Sequence, residues 1–314
     1  MFGADAIVAA QADDAKRVTD DLLAQVQLAT IVAKDARGNI ESLVAKAITA
    51  YAARTTRCIL TEFPVLLTAA QLDALDNAFG SMPERLSHLD VATARLTADD
   101  LLQRVYTDDG AGDGRITMAG AAYATVGVAI ASGKKSPSLP LTFLALSVPS
   151  RRETKQESDR YLDALIAELE KPLTQQDFAS ATSSIDAFPA AIVEVTPSVA
   201  QSCSLMRPVL LAARVAIAVS RHRALHGGAE PMSIESIDGA AAGMPLVDPF
   251  DGKPLRSLLR DGRLVIYSIG FDGDDDGALC LRFDTRSTLV DENPMQPAGG
   301  AIPDCDWVLF GPLR

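Results

Sequence analysis

The 314-residue chain is poor in the residues that most chemistries need: three histidines, four cysteines, one tryptophan, and only 5% aromatics. No two of Cys58, Cys203, Cys280 and Cys305 form a C-x-x-C pair, which excludes the usual close-spaced zinc and dithiol motifs. G-x-S-x-G, G-x-x-x-x-G-K-[ST] and G-x-G-x-x-G are also missing, so neither a serine-nucleophile turn nor a phosphate-cradling loop is signalled. There is no run of Lys and Arg, and the formal charge is −12. Phosphate backbones bind to clustered cations, so a nucleic-acid partner is excluded on charge. The start, "MFGADAIVAAQADDAKRV", has no basic segment leading into an apolar one and does not read as a signal peptide. The longest uncharged stretch, Ile116 to Gly133, is built of Ala, Gly, Thr and Val and falls short of a membrane span. The chain therefore reads as soluble, with any membrane attachment expected through an anchor outside this sequence.

Apolar residues make up 48% of the chain, much of it alanine, enough for a sizeable core of close-packed helices. Residues 1–195 read as an α-helical domain. Val18, Leu22, Leu23, Val26 and Ala29 recur at helical spacing between Asp13 and Lys34, and "ARGN" breaks the pattern. A second helix is expected from Ile40 to Leu60 with Leu43, Ala47 and Ile48 on its apolar face. Thr68 and Thr97 are expected caps, "RRETKQESDRYLDALIAELEKPL" is an amphipathic helix, and its "RRE" opening is a helix-start charge cluster. A long helix is expected from Thr196-Pro197 to Gly227-Gly228, with Pro208 as a kink point.

After residue 245 the pattern changes. "DPFDGKP" is turn chemistry, Asp261-Gly262 separates two β-like runs as a hairpin turn, and "DWVLF" reads as a further strand. The expected fold class is α+β: a mainly α-helical N-terminal domain, then residues 196–314 as a long helix with a small antiparallel β-sheet.

In this order, "AIAVSRHRALHGGAEPMSIESI", "LVDPFDGKPL", "LVIYSIGFDGDDDG" and "DWVLF" resemble the globular part of the type II secretion major pseudopilin, over roughly residues 205 to 314. Departures accompany the match. Ala229-Glu230-Pro231 stands where that family shows Tyr-Pro, more than twenty extra residues precede the last strand, and the family's N-terminal anchor and processing site are replaced by a helical region. The layout is similar to bacterial envelope proteins that pair such a region with this module. A pilus subunit is therefore not expected. The resemblance implies a pseudopilin-like C-terminal module in an extracytoplasmic, cell-envelope protein of interaction or assembly, linked to type II secretion, with a protein partner it does not identify.

"DGDDDG", residues 272–277, is the first half of an EF-hand pattern, but Phe283 stands where the closing Glu belongs and a strand precedes it. Alternate aspartates on a glycine turn can still gather carboxylates for calcium. The resemblance places Asp272, Asp274 and Asp276 on a Ca2+ ion, with Asp291, Glu292 or Asp304 completing the shell. The alternative is a solvated acidic hairpin tip that needs no ion. "DDGAGDGRIT" is a weaker case: Asp109 and Asp113 fit ligand positions, whereas Ala111 and Gly120 leave two ligands absent, and a Gly-rich surface loop fits it better. Cys280 and Cys305 flank a turn-rich segment and are candidates for a disulfide, with buried thiols as the alternative. The competing functional class is a metal-dependent hydrolase using Glu84, His88, His222 and His226. Nothing else in the sequence argues for an enzyme.

Overall fold

The computed structural model describes residues 2–36, 38–82, 86, 88–111, 113–123, 148–185, 188, 192–193, 195–237, 246–278 and 306–311. Helices α1 (Phe2–Gln11), α2 (Ala15–Asp35), α3 (Asn39–Glu62), α4 (Ala69–Gly80), α5 (Val91–Val105), α6 (Arg151–Leu169), the short α7 (Phe178–Thr182) and α8 (Pro197–Leu225) precede a three-stranded sheet. Its strands, β1 (Arg256–Arg260), β2 (Arg263–Ser268) and β3 (Trp307–Phe310), are antiparallel in the order β1-β2-β3. The expected α+β class holds.

Local chemistry sets most helix starts. Thr68 and Gln71 form a reciprocal capping box on α4, and Ser150 with Glu153 does the same on α6, where "RRE" stands at the helix start as expected. Thr196 caps α8 with Pro197 at the first position. Thr97 is not a cap. The Asp90 carboxylate accepts the Thr93 N–H at 3.0 Å, so α5 begins at Val91 and Thr97 lies within it. α8 continues through the buried Pro208 for 29 residues. By length and composition it could cross a membrane, yet 61% of its most apolar window is buried in the protein, the setting of a core helix.

The buried face of α3 also differs from expectation. Ala47 is exposed and Leu43 and Ile48 only half-buried; the buried positions include Ala45, Thr49, Ala52, Ala53, Thr56, Ile59 and Leu60. Small side chains let α3 lie close against α2 and α8. The threonines fit because Thr49 and Thr56 donate their hydroxyls to the Ala45 and Ala52 carbonyls at 2.8 and 2.9 Å.

One core joins α1–α4, the C-terminal half of α8, and Leu264, Ile266, Leu309 and Phe310 of the sheet. A second joins α5, α6, α7 and the N-terminal part of α8 through Ala200 and Cys203. Each core draws residues from both sides of position 195/196. The sheet is tied to α8 by a charged clamp. Arg223, nearly buried, makes two 2.7 Å bonds to Glu230 and lies 5.1 Å from the centre of the Phe310 ring, while Glu230 also accepts the Leu264 N–H. Burial would raise the Glu230 carboxyl; the Arg223 guanidinium and the Leu264 N–H overcome it and hold it below its usual range.

Candidate metal centre

Asp261 and Gly262 both have positive φ, 53° and 75°, the backbone of a type I′ turn, so β1 and β2 pair without a splay. Alternation then divides the sheet. Leu264 and Ile266 face the main core, whereas Leu258, Val265, Tyr267 and Val308 form a second apolar face with Ala278. Ala278 closes the aspartate segment. The segment turns back at Gly270 (φ 69°) so that its far end, Ala278, packs on the second face of the sheet, while Gly273, Asp274 and Asp275 stay exposed.

Polar contacts fasten it there. On β1, Arg260 donates to the carbonyls of Gly277 and Ala278 at 3.1 and 2.9 Å. Arg256, also on β1, lies 3.3 Å from Asp275, and the Tyr267 hydroxyl donates to the same carboxylate at 3.0 Å. Beneath them Asp248 is fully buried. It accepts from the N–H groups of Phe250 and Ile269, the Ser268 hydroxyl and Arg256, all at 2.8–3.1 Å. The "DPFDGKP" turn is thus bonded to the end of β2, where the loop begins.

With Asp275 drawn aside, the other aspartates converge. Asp272, Asp274 and Asp276 each offer a carboxylate oxygen, and the three lie within 4.8 Å of one another. Calcium–oxygen bonds run about 2.3–2.6 Å, so oxygens that share an ion lie within about 5 Å of each other, and this group meets that limit. Asp272 and Asp276 are half-buried and Asp274 is exposed.

The residue missed by sequence reasoning is Asp306. It sits just before β3 and is fully buried; one oxygen accepts the Ala278 N–H at 2.7 Å, and the other has no hydrogen-bond partner among the described residues. Burial pushes its carboxyl up to about 6 against the opposing pull of the Ala278 N–H, and the charges of Asp275, Asp276 and Asp272 add to the rise. A buried carboxylate oxygen left unbonded beside further carboxylates is unfavourable, and a cation relieves it. Strand pairing held the clue: Trp307 pairs with Ser268, which brings its neighbour Asp306 to the root of the loop. Asp291, Glu292, Asp304, Cys280, Cys305 and Glu84 lie outside the described residues.

The other candidates fare differently. The Asp109 carboxylate accepts the N–H groups of Ala111 and Asp113, both at 2.9 Å, an arrangement that turns the loop on itself. A Cβ at Gly114 would fall 1.7 Å from the Thr107 carbonyl oxygen, which accounts for that glycine. The His222 and His226 rings lie 4.3 Å apart, His222 in the last turn of α8 and His226 just beyond its end. Among the described residues His88, His222 and His226 join no group of three side chains able to share an ion. Comparison with known protein families, with curated proteins and with solved structures finds no match to this chain.

Proposed function

We propose that the aspartate loop is a structural Ca2+ site, held by Asp272, Asp274 and Asp276 with Asp306 at its root, in a non-enzymatic interaction or assembly protein of the cell envelope. The observation that carries the metal reading is the convergence of three carboxylates beside a buried, unbonded carboxylate oxygen. An all-oxygen donor set on a loop suits a hard cation of flexible coordination, which favours calcium over zinc. Binding would neutralise the loop and pin it to the sheet, adding to stability in proportion to occupancy. Free calcium outside the cytoplasm is about millimolar, enough to fill even a weak site of the extracellular kind. The order of long helix, turn, hairpin, acidic loop and closing strand supports the pseudopilin resemblance, and with it the extracytoplasmic placement and a role linked to type II secretion.

The test is thermal unfolding of the chelator-stripped chain with and without Ca2+. At a hundredfold excess over Kd, calcium should stabilise the protein by about 2.7 kcal/mol. Asp274→Asn, a change at an exposed position, should lose most of that shift while melting normally in chelator. A melting curve indifferent to calcium, together with no binding heat, would overturn the metal reading. Fractionation of cells making the native gene product checks the compartment, and recovery in the cytoplasm alone would refute it.

A further inference from the structure

We infer that Arg256 and Arg260 of β1, with Tyr267 of β2, are positioning residues that hold the aspartate loop in its ligand arrangement before any ion arrives. This rests on the metal reading above, and on Asp306, whose fully buried, unbonded oxygen marks the loop root independently of the acidic cluster.

All three side chains rise from one face of the hairpin, since Arg256 pairs with Tyr267 and Arg260 lies four residues along β1. Arg260 holds the end of the loop by its Gly277 and Ala278 carbonyls. Arg256 and Tyr267 hold its middle by Asp275. Asp275 in turn accepts the Gly277 N–H at 3.1 Å, which joins the two anchorages. In "DGDDDG" the residue between two ligands is thus a strap, and that is why three of the four aspartates converge and the fourth does not.

Two opposite effects follow from placing arginines beside a cation site, and magnitude decides between them. An arginine repels the incoming ion, but Arg256 is already shared by Asp248, Asp251 and Asp275 at 3.1, 2.8 and 3.3 Å, so little of its charge is left to act on the ion. Arg260 points at backbone carbonyls and not at the triad. Without these anchors the loop would have to be ordered by the ion itself, at the expense of affinity. Positioning therefore wins, and removing a positive charge should weaken cation binding. Simple electrostatics predicts the reverse.

The experiment is calorimetric titration of the chelator-stripped full chain with CaCl2, paired with amide hydrogen exchange of the ion-free protein. Arg260→Gln and the charge-neutral Tyr267→Phe are each expected to raise Kd about tenfold or more, the scale of losses when groups supporting a metal ligand are removed. In the ion-free state both should speed exchange at the Gly277 and Ala278 amides and leave the amides of α3 unchanged. Unchanged exchange, or calcium affinity equal to or tighter than wild type in both variants, would overturn the positioning role. Wild-type protein that binds no calcium sinks the metal reading and this inference with it. Wild-type binding with indifferent variants sinks only the inference.

Discussion

Between α5 and α6, Lys155 reaches Asp99 and Arg95 reaches Asp163, each at 2.6 Å, with all four side chains 41–64% exposed. Under the aspartate loop, Arg256 reaches Asp248 at a longer 3.1 Å, but the arginine is 20% exposed and the aspartate fully buried. By distance alone the helical pairs look stronger. Burial reverses the order, because water and salt screen the exposed pairs, while the buried network replaces hydration with fixed partners. In the helical region charge decorates a surface over an alanine-rich core. In the sheet region it is the framework on which the loop is built.

The largest effect is expected where that framework is deepest. Asp248→Ala removes the acceptor of two backbone N–H groups, one hydroxyl and one guanidinium in a site closed to water. Urea unfolding in chelator should show a loss of about 3–5 kcal/mol, as for other broken buried ion pairs. A loss below about 1 kcal/mol would mean that water reaches the site, and the contrast between the two regions would collapse.

The next effect has the opposite sign. Asp306 titrates at about 6 in the folded chain against an ordinary 3.8, so between those values the folded state holds a proton that the unfolded state has released. Stability contributed by that proton is complete below about pH 4 and lost as pH rises through about 6. Asp306→Asn removes the penalty. In chelator at pH 7.5 it should stabilise the chain, by at most about 3 kcal/mol for a two-unit shift. The slope of stability between pH 4 and 6 should flatten with it. With calcium present the gain should shrink, since a cation bound to the neighbouring aspartates would relieve the same buried charge in the unaltered chain. A variant less stable than wild type in chelator would show that Asp306 is not strained by burial.

These two regions were also unequally legible in the sequence. Turn chemistry is local, so Asp261-Gly262, "DPFDGKP" and a strand within "DWVLF" could be placed from the residues alone, as could the caps at Thr68 and Thr196. α3 could not. Its apolar stripe suggested Leu43, Ala47 and Ile48, whereas the side that meets α2 and α8 is made of Ala and Thr, which hydrophobicity ranks low and close packing favours. The acidic loop was legible as a ligand candidate, but not as a strap and three ligands. That division depends on Arg256, Arg260 and Tyr267, which approach it through strand pairing. Asp306 was hidden for the same reason: it lies 28 residues beyond Ala278 in sequence and one hydrogen bond away in space.

The smallest effect sharpens the comparison from its other side. Lys155→Ala deletes a 2.6 Å bond to Asp99 and a 3.6 Å pairing with Asp159, both on exposed helix faces. Holding a long side chain in place costs entropy of the same order as the screened attraction, so the expected change is about 0.5 kcal/mol or less. Raising NaCl from 0.05 to about 0.5 M, where the screening length drops to about 4 Å, should abolish even that. The same salt should leave most of the Asp248→Ala loss intact, because ions do not enter a site that water cannot. Parallel salt series on the two variants thus separate burial from distance as the quantity that sets the strength of these pairs. If Lys155→Ala cost more than about 2 kcal/mol, or if both effects faded together with salt, distance would be the better guide and the framework under the loop would lose its special standing.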